Sequence, residues 1–169
     1  MDHLLIANKL EENAKTFDHL LRKKSKSEII WRSAPEKWNL LDIVSHLLDE
    51  EKEDFRARVK HVLETPEFPM PKIDPAGWVT SRNYSDNDFS KTLQSFLEER
   101  KRSIEWLRAL KSPDWNRTYL HEKMGALPAK MFLINWHAHD LLHMRQIIRI
   151  DFEHTQNKFS EKLDYAGNW

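Results

Sequence analysis

The chain has 169 residues, no cysteine, three glycines, and 27 Lys+Arg against 27 Asp+Glu. This length suits one domain over residues 1–169 with a hydrophobic core of its own, and the lack of sulfur excludes disulfides and thiolate metal sites. Zero net charge argues against nucleic acid as the main partner, because phosphate binding favours a basic surplus.

The compositional excess lies in nine histidines and seven tryptophans. With thiolates excluded, a transition-metal site has to draw on His, Asp and Glu. The N-terminus MDHLLIANKLEENAK shows no apolar run followed by a small-residue cleavage site. No stretch approaches the ~20 apolar residues of a membrane span. The expectation is a cytoplasmic protein that does not enter a membrane.

Four segments carry the helical period. The first is expected from Asp2 to about Lys24, with Ile6, Leu10, Ala14, Phe17 and Leu21 at three- and four-residue steps. The second starts at Asn39, whose side-chain oxygen suits an N-cap, with Asp42 in the first turn where the helix dipole favours negative charge. Its stripe is Ile43, Leu47, Phe55, Val59 and Val62, and Pro66 ends it. The third starts at Asp88 and carries Phe89, Leu93, Phe96, Leu97, Ile104 and Leu107 before Pro113. The fourth starts near Pro128, a residue suited to the first helical position, and runs to about Ile150. Each is expected to be roughly 33–38 Å long at 1.5 Å per residue. The fold class predicted is all-α, a four-helix bundle.

Four of the seven prolines sit between the second and third helices, in TPEFPMPKIDPAGWVTSRNYSDN. A loop of this length is often functional, and it can cross the bundle from end to end. Helices two and three need not then be antiparallel neighbours.

Helix four holds the strongest chemical signal, NWHAHDLLHMRQII. His139 and His143 are four apart, which on a helix puts two imidazoles on one face, one turn apart, as two ligands of one metal require. They lie in a line with Phe132, Asn135, Gln146 and Ile150. Asp140 and Leu141 follow His139, so this is not a metalloprotease HExxH. His46 lies beside the core-facing Ile43 and Leu47 of helix two. A buried imidazole needs its nitrogens satisfied, and either a backbone carbonyl or a metal shared with His139 and His143 would do this. Three histidines plus water make an open catalytic zinc site.

Glu50, one turn beyond His46, is a candidate base or ligand-orienting group. Arg100 occupies an apolar position in the stripe of helix three, so it either snorkels to the surface or pairs with a carboxylate or an anionic substrate. Glu50 and Glu53 are its expected partners. Trp78, beside Gly77 in the long loop, is expected to be a loop anchor or a cover for a pocket.

Taken together, these residues resemble the DinB-like family of bacterial four-helix bundles, which includes the bacillithiol-transferase-like proteins. The resemblance rests on Trp31, Trp38, Asn39, His46, Leu47 and Glu50, on Asp114, Trp115 and Arg117, on His139, Asp140, His143, Gln146 and Ile147, and on the closing YAGNW. It implies an up-down-down-up bundle with a long crossover after helix two, and a divalent metal, zinc or nickel, held by His46, His139 and His143. It also implies a homodimer acting on a small molecule. The activity implied is thiol S-transfer with a low-molecular-weight thiol, or a related hydrolysis. A non-catalytic metal-binding stress-response module and a plain bundle with satisfied core histidines remain as other readings of the same residues.

Overall fold

The computed structural model describes residues 1–167. Its helices start where a short polar side chain can take the orphan N–H groups of a first turn. Asp2 caps α1 (His3–Leu21) and Ser25 caps the short α2 (Lys26–Ile30). Asn39 caps α3 (Leu40–Glu50) in a capping box with Asp42. Helix α3 runs through a π-helical turn, Glu51–Phe55, directly into α4 (Arg56–Glu64). Asp74 caps α5 (Pro75–Ser81), and Asp88 caps α6 (Phe89–Ala109). After α6 come strand β1 (Thr118–His121) and strand β2 (Gly125–Pro128), an antiparallel pair with Tyr119 opposite Leu127. The last helix, α7 (Ala129–Phe159), has 31 residues.

The four long elements α1, α3–α4, α6 and α7 form an up-down-down-up bundle, and the directions follow from which residues meet. Asn13 of α1 reaches Asp140 of α7, and Lys24, just after α1, reaches Asp151, so these two helices are parallel. His46 meets His139 and Glu51 meets Trp136, so α3–α4 and α7 are antiparallel. Glu51 meets Arg100 and Arg56 meets Ser103, so α3–α4 and α6 are parallel. The long crossover between them makes this possible, since parallel neighbours cannot be joined by a short turn.

Several expected boundaries change. Helix one stops at Leu21, and α2 follows where only a stop was read. The crossover contains α5 and a 3-10 turn at Tyr84–Asp86, with Trp78 buried as an anchor and the Arg82 guanidinium 4.1 Å from its ring centroid. The β hairpin was not expected; its turn ends at Gly125, whose φ of 75° suits glycine. Pro128 caps α7 instead of occupying its first turn. The helix also continues past Ile150 through a polar stretch, held by Lys24 on Asp151 and by Trp31 against His154. Of the closing YAGNW, Asn168 and Trp169 lie outside the described residues.

The interior divides in two. One apolar cluster includes Ala7, Leu10, Val59, Val62, Leu107, Leu133 and Trp136. The other includes Phe17, Leu21, Ile43, Leu47, Phe96 and Ile147. Between them lies a buried polar layer of Asn13, Glu51, Arg100 and Asp140. The candidate site sits beside this layer.

Candidate metal centre

Two helices from distant parts of the chain supply the three histidines. The Asn39–Asp42 capping box fixes the start of α3, two turns before His46. On α7, His139 and His143 stand one turn apart. Their Nε2 atoms converge: His139 lies 3.0 Å from His143 and 3.4 Å from His46. The three ligand atoms all fall within 4.8 Å of one another.

The separations from His139 to His143 and to His46 fit a shared cation. Nitrogens at about 2.0–2.1 Å from one ion lie about 2.9–3.4 Å apart, between octahedral and tetrahedral arrangements. The protonation pattern fits as well. Gln146 Oε1 is 2.9 Å from His143 Nδ1, which places the proton there and leaves Nε2 as a bare lone pair. His46 Nδ1 is buried, with the Pro75 backbone carbonyl near it but outside the geometry of a full hydrogen bond.

Burial holds all three imidazoles in the neutral form that metal ligation needs. It drives His46 down to about 3, with help from His143 and against the Pro75 backbone carbonyl. It drives His139 down to about 2, with His143, His46 and Arg100 adding to the effect. His143 is lowered by burial too, against the Gln146 hydrogen bond.

Glu50 is at this centre. Its two carboxylate oxygens lie 4.0 Å from His46 Nε2 and 3.9 Å from His139 Nε2. Burial and then the neighbouring Asp54 push its carboxyl up to about 8. A carboxyl in this position can exchange a proton with a group bound beside the histidines near neutral pH.

Arg100 is elsewhere, and its expected partners were wrong. It is 1% exposed and bidentate on Asp140, at 2.6 and 2.8 Å, with Glu51 at 2.9 Å. Burial opposes its charge, but Asp140 and Glu51 outweigh that and keep it ionised. Three of its donor nitrogens are thus occupied inside the bundle, which makes it a structural charge and not a clamp for an anionic substrate. Glu53 instead pairs with Arg82. Asn135, placed in the inward line by its spacing, is exposed and bonds back to the Met131 carbonyl.

Other residues at the centre have neighbours that the sequence did not indicate. Trp38 lies parallel to His143, 6.3 Å between centroids, and 4.9 Å from His46. Phe55 lies 4.9 Å from His139. The two rings wall the nitrogens from solvent. The π turn lets Glu50 and Glu51, adjacent in sequence, both be buried, one at the histidines and the other at Arg100 and Trp136. Such turns inside α-helices often mark functional sites. Asp140, quoted within the histidine motif but given no role there, takes a hydrogen bond from Asn13 and holds Arg100.

A family model described as the DinB superfamily matches residues 9–147. No curated protein matches the chain. Among solved structures, YfiT from Bacillus subtilis, described as "a probable metal-dependent hydrolase with an unusual four-helix bundle topology", is similar at a TM-score of 0.75. The two are 18% identical, over 93% of this chain and 87% of that one, a likeness of fold.

Proposed function

The chain belongs to the DinB superfamily, and from that premise we propose that it is an enzyme holding one divalent cation, zinc or nickel, on His46, His139 and His143. The observation that carries this reading is the convergence of three neutral imidazoles, two buried and His139 half-buried, with Nε2 separations of 3.0 and 3.4 Å. A plain bundle with satisfied histidines would turn these nitrogens to separate acceptors. When bound, such an ion lowers the pKa of a water or thiol and polarises an electrophile.

The chain's own residues do the remaining work. Glu50 takes the proton that a nucleophile gives up and returns it to the leaving group. Burial holds its carboxyl above the ordinary range in the metal-free chain, and a cation on the histidines would draw it back down. Gln146 orients His143, and Trp38 and Phe55 exclude bulk water from the reacting atoms. The finer reading is thiol S-transfer with a low-molecular-weight thiol. The chain has no cysteine, so the thiol comes from a co-substrate. Hydrolysis uses the same residues with water in its place.

Metal analysis of untagged protein is expected to show one equivalent after incubation with zinc or nickel. Replacing all three histidines with alanine should abolish that equivalent. Binding below about a tenth of an equivalent would sink the reading, because a preformed three-ligand site should fill. Consumption of small thiols with monochlorobimane, set beside a panel of esters and amides, separates transferase from hydrolase.

A further inference from the structure

A cavity of about 620 Å³ lies between α4, the crossover stretch at 69–73, and the β hairpin. The volume is that of a small-molecule site. None of its lining residues belongs to the histidine centre. In a chain of zero net charge its wall is locally cationic, with Arg58, Lys72 and Lys123 against one acid, Glu122.

The donors are arranged for use. Arg58 is engaged by Asp54, but neither Lys72 nor Lys123 makes an ion pair among the described residues. His121 Nδ1 accepts the backbone N–H groups of Lys123 and Met124, at 3.1 and 3.2 Å. Its remaining proton therefore sits on Nε2, which becomes a donor. Tyr119 Oη accepts the Met70 N–H at 3.3 Å, and its own hydroxyl proton stays free to donate. Pro69 and Pro71 stiffen the facing stretch of the crossover, so less ordering entropy is lost when a ligand binds.

We propose that this cavity is a binding site for a small molecule bearing a carboxylate or phosphate dianion, held by Lys72, Lys123, His121 Nε2–H and the Tyr119 hydroxyl. These groups supply two ammonium charges and two oriented neutral donors, a set that matches an oxyanion. The stretch that carries Lys72 leads straight into α5, which packs on α3. An anion bound here therefore steadies the segment that borders the metal centre. The site stands independently of the metal reading.

The test is calorimetric titration with succinate, glucose 6-phosphate and neutral glucose, on the native chain and on Lys72→Ala/Lys123→Ala. At least one dianion should bind, glucose should not, and the double variant should bind at least tenfold more weakly. Succinate alone binding identifies a carboxylate ligand, and glucose 6-phosphate alone a phosphate. Dissociation constants above about 10 mM for both dianions would overturn the proposal. So would equal binding of glucose, or affinity unchanged in the double variant. Both lysines are surface residues away from the apolar clusters, so the variant should fold, and circular dichroism checks this. The same titration on His139→Ala should give unchanged anion affinity, which separates this site from failure of the metal centre.

Discussion

At the scale of single residues, the buried titratable groups set how the protein responds to pH. Glu50 has its folded pKa raised to about 8. The stability linked to it is fully present below the ordinary carboxylate range and is lost as pH rises through about 8. His46 and His139 have theirs depressed to about 3 and 2. Their contribution is present above about 6.5 and is lost as pH falls toward those values. Metal-free protein should accordingly be most stable near pH ~6.5–7 in urea unfolding, where the protons gained by the unfolded histidines balance the one held by the folded Glu50. Glu50→Gln should raise stability at pH 8, on the order of a few kcal/mol, and change little at pH 5. Equal effects at both pH values would contradict the raised carboxyl. Arg100 gives a different residue-scale expectation. Arg100→Met leaves Glu51 and Asp140 buried without their partner and should cost about 3–5 kcal/mol in urea unfolding. Adding Glu51→Gln and Asp140→Asn should recover much of that loss. A variant with intact stability and only a raised KM would instead make Arg100 a substrate clamp. Its position in an apolar stripe showed that it needed a partner, but its partners lie 49 and 40 residues away in sequence. No local pattern could choose them over Glu50 and Glu53.

At the scale of elements, the caps were legible and the interruptions were not. Asp2, Asn39 and Asp88 stand at the helix starts read from the sequence, because capping depends on a side chain two or three residues from its target. Asn39→Ala should cost about 1 kcal/mol by thermal unfolding, since it removes the side-chain oxygen that accepts the Asp42 N–H and leaves only the backbone half of the capping box. Retention of the full melting temperature would show that tertiary packing alone holds the start of α3. The π turn at Glu51–Phe55 left no trace in EKEDF, which is an ordinary helical stretch. It persists because Glu51 must reach Arg100 and Trp136 while Glu50 stays at the histidines. The hairpin at residues 118–128 was missed for a similar reason. A four-residue strand carries too few residues to show a period of two, and this one rests on α7 and α4 packing through Leu127 and Tyr119. The polar end of α7 looked like a tail because its helix is held from outside, by Lys24 in the turn after α1 and by Trp31 at the end of α2.

At the scale of the molecule, two apolar clusters are separated by a charged layer, and the candidate metal centre lies against that layer. A cation on His46, His139 and His143 would tie α3 to α7, so its binding energy is also folding energy. Zinc or nickel at about a thousand times its dissociation constant should stabilise the chain by about 4 kcal/mol, read as a rise in melting temperature that a chelator reverses. No shift with either metal would count against the centre. Among the described residues no helix is long and apolar enough to cross a membrane, in keeping with the hydropathy of the sequence. By itself the sequence determined the helical periods, the caps, the need for a long crossover, and which histidines to bring together through a family resemblance. These are local properties, or patterns carried by residue identity. Only the tertiary structure decided that Arg100 belongs to the interior, that Trp38 and Phe55 wall the centre, that Glu50 and Glu51 serve different neighbours, and that crossover and hairpin enclose a cationic cavity. Each of these depends on which side chains meet across helices far apart in the chain, and that is settled by packing the whole bundle at once.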